Sequence, residues 1–462
     1  MESTSESDPV PESDRKPGRW AWPAILLAPV LLLAGERFVP EAEAEVVAQH
    51  DLSLLAVLQV QAKLVIALNL QQPKEARKQL LELESYASSD SAAGALAATH
   101  GFLGLEDGGR EAVDLLLASR AQVPGVDAAF LEAVRRATFQ GVDEPGREIL
   151  RTRLGWFADL FGTPGAPSEA PMGGEIRHRA MLEIVMMAVG GIIGVVSILI
   201  GAGVLLYAEF RRVGGKLFLA FDADRRPARI FLESFAIFLL SMALGNAGSW
   251  LVHWLMQPIF SIGGIVLALV WPRLRGLPWV EVCRSLGLHR GKGWIREVGA
   301  GVVGYFAMLP MAIIGIALSA GLVALVGIVE KTMISGGTEG SGGLVAEPVT
   351  HPAVGWMLGG WEAKIMVLLL AAVMAPLVEE VFFRGAFYRA LRSRMGMAAA
   401  GLLNGFIFAS LHPQGWMAIP ALTAMGFGFA CLREWRDSLI APMTAHAINN
   451  GLLIGGLALI LR

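Results

Sequence analysis

The sequence predicts an all-α protein, a polytopic transmembrane helical bundle of about eight to nine spans with an N-terminal helical domain outside the bilayer. Three observations predict it. Apolar residues make up 54% of the 462 positions and charged residues only 17%, with a mean hydropathy of +0.54; a soluble domain of this size carries more charge. Apolar runs of membrane-crossing length recur from residue 180 onward. Residues 36–176 instead alternate apolar and charged positions at helical spacing.

Residues 1–35 read as a disordered tail and a membrane anchor. The first 19 are rich in Ser, Glu and Pro and end in Arg15, Lys16 and Arg19. WAWPAILLAPVLLLAG follows, a signal-peptide core or an anchor. The long polar stretch before it, and the lack of a small-x-small cleavage site, favour an uncleaved anchor.

Residues 36–176 read as a helical soluble domain with 21 acidic against 12 basic side chains. LSLLAVLQVQAKLVIALNL, PKEARKQLLELESYA, REAVDLLLASR and AAFLEAVRRATF are the helical stretches, separated by QQP, EDGG and VPG. They suggest stacked helix pairs, although no clean 34-residue repeat is present. FGTPGAPSEAPMGG reads as a linker.

Residues 177–462 form the membrane domain. Spans are expected near 181–207, 230–249, 251–271, 297–328, 363–383, 397–412, 416–432 and 439–461. Pro310 predicts a kink in the fourth, and the Gly190-to-Gly194 spacing invites close helix packing. Basic clusters in loops 208–229 and 273–296, at Arg384–Arg394, and at Arg433 and Arg436 fall on one side under alternating crossings. The positive-inside rule makes that side, with the N-terminus, cytoplasmic. Residues 36–176 and the Gly-rich loop ISGGTEGSGG are then extracytoplasmic. The Ala-, Gly- and Arg-rich composition fits a bacterial inner membrane. Cys283 and Cys431 form neither a disulfide framework nor a Cys-rich metal site. The basic residues follow membrane topology, so no nucleic-acid partner is expected.

Three polar groups sit where lipid should exclude them. APLVEEVFFRG holds Glu379, Glu380 and Arg384; on a helix Glu380 and Arg384 share a face while Glu379 points about 100° away. FASLH ends in His412. HAINN places His446 and Asn450 four apart on one face. Taken singly, an edge Glu–Arg pair can snorkel and a His or Asn, including Asn404, can be interhelical glue. All three together suggest one buried wet site. A carboxylate and a neutral imidazole can polarise a water, and a second His with an Asn amide can hydrogen-bond an oxyanion. Glu379, His412 and His446 could instead hold zinc. The residues leave both chemistries open.

EEVFFR fits EExxxR, FASLH fits FxxxH and HAINN fits HxxxN, in that order, over about 360–455. This set resembles the CPBP intramembrane proteases, which include the type II CAAX prenyl proteases and bacteriocin-processing enzymes. The resemblance implies an endopeptidase that cuts a membrane-associated or lipidated protein or peptide, by a glutamate- or zinc-dependent route. It implies that Glu379 activates water with His412, that His446 and Asn450 stabilise the oxyanion, and that Glu380 and Arg384 support them. With the acids at the inner end of their helix, scission is expected near the cytosolic face. The competing expectation is a non-proteolytic scaffold or bacteriocin-immunity protein that binds a partner through the same fold, with the outer helical domain as a protein-binding surface. The sequence has no HExxH, GxGD or GxSG of other intramembrane proteases and no matched pair of broken helices of a transporter.

Overall fold

The computed structural model describes residues 20–35, 40–104, 108–123, 125–166, 169–222, 228–253, 255–334, 356–412 and 414–461. The N-terminal tail, the Gly-rich loop and Pro413 lie outside them. Every regular element among the described residues is helical. In chain order these are α1 (Ala21–Gly35), α2 (Pro40–Asn69), α3 (Pro73–Leu83), α4 (Asp90–Leu103), α5 (Gly109–Ala121), α6 (Ala128–Gln140) and α7 (Glu144–Leu154). Then come α8 (Gly173–Val213), α9 (Ala228–Leu251), α10 (Met256–Leu274), α11 (Trp279–Leu286) and α12 (Trp294–Ile334). The composite helix α13 (Trp361–Arg392), α14 (Met397–Ser410), α15 (Ile419–Arg436) and α16 (Ile440–Ile460) complete the chain.

Among the described residues seven helices are long and apolar enough to cross a bilayer: α8, α9, α10, α12, α13, α15 and α16. The count differs from the expected eight to nine for a geometric reason. Helix α14 has 14 residues and α1 has 15; at 1.5 Å per residue each is about 21–23 Å long, short of the hydrocarbon core.

The residues divide into two compact units. One is drawn from 44–195, 350–367 and 455–462. Its core is formed by α2 to α7 and the 3-10 turn Gly155–Leu160, with Leu58, Val65, Leu96, Val134 and Phe157 all buried. Its helix starts carry their own caps: Ser89 accepts from the Ala92 N–H, Asp127 from Phe130 and Asp143 from Gly146, each at 3.0 Å. Gly190 and Gly194 have nothing within 4 Å of where a Cβ would stand, so the GxxxG spacing packs against nothing in this chain's described residues.

The other unit, drawn from 1–43, 196–349 and 368–454, carries the motif residues. Its core joins α1, α9, the second half of α13 and α14. Phe235 stacks on Phe387 at 4.3 Å and Phe238 on Phe382 at 4.1 Å, which locks α9 to α13. Helices α14 and α15 cross at glycines: a Cβ on Gly426 would lie 2.6 Å from Gly405 Cα, and one on Gly405 2.6 Å from the Thr423 carbonyl. Backbone on both sides leaves nothing to yield. Gly426→Val is therefore expected to cost about 1–3 kcal/mol through overpacking, read as a lower thermal midpoint and a lower yield of folded protein in detergent. Val at Gly203, which has open space around it, is the matched control.

Candidate active site

Helix α13 is not a regular α-helix. Two π-helical segments, Leu370–Met374 and Val381–Phe387, flank the six residues that end in Glu379 and Glu380. Pro376 explains the first. In the widened register Ala375 donates to the Leu370 carbonyl five residues back. The donor owed to Ala371 would be residue 376, and proline has no N–H. The Asn450 amide supplies it instead, donating to the Ala371 carbonyl at 2.8 Å. In the second segment the Asn404 amide donates to the Phe383 carbonyl, also at 2.8 Å. Two asparagines thus pin the two distorted stretches on either side of the acids, and Asn404 is the interhelical hydrogen-bond donor expected from the sequence.

The paired acids divide their work. Glu380 is fully buried, and one of its oxygens takes both the Arg384 guanidinium at 3.0 Å and His446 Nδ1 at 2.8 Å. Arg384 is equally buried; its other arm donates to the Gly426 carbonyl at 3.0 Å, and it lies over the rings of Phe408 and Phe429. One oxygen of Glu380 is thereby matched by an opposite charge and by directed donors, whereas its Oε2 and Arg384 Nε are buried without a hydrogen-bond partner. Glu379 points elsewhere, as the 100° offset predicts. Its side chain keeps 27% of its exposure, its Oε2 lies 3.8 Å from His446 Nε2, and that oxygen has no hydrogen-bond partner.

The two histidines approach from different helices. His446, on α16, stacks on Phe429 at 4.8 Å and meets the edge of Phe408. With Nδ1 directed at Glu380, its Nε2 faces Glu379. His412 stands in the turn two residues beyond the end of α14, rather than within a span as expected. Its Nδ1 lies 2.7 Å from the Phe408 carbonyl. A carbonyl only accepts, so Nδ1 carries the proton and the neutral ring leaves Nε2 as an acceptor. Its ring packs on Phe408 at 4.3 Å, and both Glu379 and His446 act on it electrostatically. Asn450 sits one turn beyond His446; its amide oxygen accepts from Asn449 at 3.1 Å.

All six residues singled out by the motifs therefore belong to one unit, and direct contacts join Glu379, Glu380, Arg384 and His446. One positional expectation is corrected: the acids are not at the inner end of their helix. Helix α13 runs on to Arg392 because Phe382 to Leu391 are buried in protein rather than exposed to water. Sequence reasoning missed the Gly426 carbonyl, the rings of Phe408 and Phe429 and the Ala371 carbonyl. Of these only Pro376, five residues beyond Ala371, leaves a local signal.

Among the described residues no three His, Cys, Asp or Glu side chains stand together at metal-holding separation. As placed, Glu379, His412 and His446 do not fit a zinc ion, and no step is derived through one.

Residues 361–452 match the family model described as type II CAAX prenyl endopeptidase Rce1-like. That bears out the resemblance carried by the three motifs. Two Bacillus subtilis proteins are similar over the same kind of length. One, named "Putative membrane peptidase YdiL", is 28% identical over 93 residues, 20% of this chain and 38% of the relative. The other, named "Uncharacterized protein YpbD", is 31% identical over 90 residues, 19% of this chain and 43% of the relative. The chain thus spans about two-fifths of the length of the curated relatives it matches. No solved structure matches it.

Proposed function

We propose, from the premise that residues 361–452 are an Rce1-like domain in an integral membrane protein, that this chain is an intramembrane endopeptidase that hydrolyses a peptide bond with Glu379 as general base. The observation that supports it most is the unequal treatment of two adjacent carboxylates. Glu380 has no exposure and is bound to Arg384 and His446, while the Glu379 side chain keeps 27% of its exposure, with Oε2 3.8 Å from His446 Nε2.

In this reading a water lies between Glu379 and His412. His412 Nε2 accepts one of its hydrogens and orients it; Glu379 takes the other proton as the oxygen attacks the peptide carbonyl. The carbonyl becomes an oxyanion, and two donors serve it. One is the second N–H of the Asn450 amide, the first being held by Ala371. The other is Nε2–H of His446, whose ring Glu380 holds through Nδ1 and whose Nε2 faces Glu379. Protonated Glu379 then delivers its proton to the leaving amine. Glu380 and Arg384 position His446 without touching substrate.

The substrate is a membrane-associated or lipidated protein or peptide, with residues 36–176 extracytoplasmic, the N-terminus cytoplasmic and the chain in a bacterial inner membrane. The outer helical domain is a surface for a protein partner. The test is cleavage of membrane-anchored peptides by protein reconstituted in liposomes. His412→Ala should lower turnover by about 10²–10⁴-fold, the range for losing an acid–base group, with folding retained. Wild-type turnover in that variant would favour the scaffold or immunity reading instead. Activity should also survive a strong zinc chelator unchanged; loss restored by added zinc would return the metal-dependent route through Glu379, His412 and His446.

A further inference from the structure

Helix α11 and its flanks form a strongly one-signed surface. Between residues 273 and 296, Arg273, Arg284, Arg290, Lys292 and Arg296 are all exposed. The only acid in that stretch, Glu281, is partly buried and accepts the Ser285 hydroxyl at 3.1 Å. Large apolar side chains are exposed among the cations: Trp279 at 48%, Val280 at 79% and Ile295 at 89%.

The helix is two-faced. Val282, Ser285 and Leu286 are buried, while Trp279, Val280, Cys283 and Arg284 line an open groove of about 620 Å³ with Leu288, His289 and Asp437. Asp437 is its one acid, and it is committed to Arg433 at 2.8 Å. The helix lies between two membrane-crossing helices, α10 and α12, so it stands at a bilayer surface.

We propose that this segment is a binding surface for anionic phospholipid headgroups, with α11 lying in the interface plane, its apolar side chains in the acyl boundary and the five cations on lipid phosphates. Apolar side chains interleaved with basic ones, and without exposed acids, are the composition that binds such a surface. The proposal does not depend on peptidase activity. It has a consequence for the motif helix, because α11 is tied to it. Arg389 donates to the Ser285 carbonyl at 2.6 Å and Arg433 to the same oxygen at 3.2 Å. A Cβ on Gly385 would already stand 2.9 Å from the Leu286 carbonyl, so the two backbones are in near contact. Lipid that holds α11 thereby holds the inner half of α13.

The test uses the full chain in liposomes carrying trace spin-labelled phosphatidylglycerol or phosphatidylcholine. The wild type should immobilise phosphatidylglycerol at least about twofold over phosphatidylcholine, and the preference should fall with added salt, as screening requires. Replacing Arg284, Arg290 and Arg296 with Gln should abolish the preference. Val280→Glu, a change at an exposed position, should weaken it with the cations intact. In parallel, Trp279→Phe should remove a fluorescence component quenched by lipids brominated near the glycerol. Equal immobilisation of the two lipids by the wild type, or an unchanged preference in both variants, or unaltered quenching in Trp279→Phe, would overturn the proposal.

Discussion

Glu379→Gln should reduce peptide cleavage by about 10²–10⁴-fold while the protein folds and inserts normally. The substitution keeps the shape and most of the hydrogen-bonding capacity of the side chain but removes the ability to accept a proton from water. It should be tolerated structurally because Glu379 is bound to no guanidinium and keeps part of its exposure. Removing its charge also relieves, rather than creates, an uncompensated carboxylate oxygen. The measurement is turnover of a membrane-anchored peptide by reconstituted protein, alongside thermal unfolding of the same preparation. The neighbouring change, Glu380→Gln, is the discriminating comparison. It should lower stability as well as turnover, because that carboxylate holds Arg384 and His446 together. Undiminished cleavage by Glu379→Gln would remove the base from the mechanism.

The second large effect is structural. Arg384→Ala should destabilise the protein by about 3–5 kcal/mol, the range for stripping one partner from a buried ion pair. The change leaves the Glu380 carboxylate fully enclosed with only His446 to answer it, removes the side-chain donor from the Gly426 carbonyl and empties the space between Phe408 and Phe429. The expected result is a steep loss of folded protein in detergent. Glu380→Gln combined with Arg384→Met removes both charges at once and should recover most of that stability, since neither charge is then left alone. A double variant no more stable than Arg384→Ala would show that the arginine acts through Gly426 and the rings rather than through Glu380. Cleavage should stay impaired in the double variant, because His446 loses the charged acceptor that orients its ring.

Much of this site is legible in one dimension, for reasons of helical geometry. The four-residue spacing of Glu380 and Arg384 brings them into contact because residues four apart share a helix face, and the adjacent Glu379 is turned away by the same geometry. His446 and Asn450 share a face of α16 for that reason too. Other features have no counterpart in spacing. That His446 reaches Glu380, 66 positions away, depends on how α16 packs beside α13. That Asn450 meets Ala371 depends on a carbonyl released where α13 widens at Pro376, and that Asn404 meets Phe383 depends on how α14 packs against α13. Helix α13 outruns the expected span of 363–383 because hydropathy measures only how apolar a stretch is. It does not register that Arg384, Tyr388 and Arg389 continue the same helix under cover of protein.

The chain's order of residues is enough to establish a helical membrane protein, the placing of two carboxylates, two imidazoles and an amide on a few apolar helices, and the family those motifs indicate. Each of these follows from periodicity or from the cost of polar groups in lipid, both of which are local properties. Only the folded arrangement decides which carboxylate is locked away and which stays available, which nitrogen of His412 bears the proton, and that the helix beneath the site is bolted to it by Arg389 and Arg433. Those outcomes depend on hydrogen bonds and ring contacts between segments distant in sequence, whose distances are set by packing rather than by order along the chain.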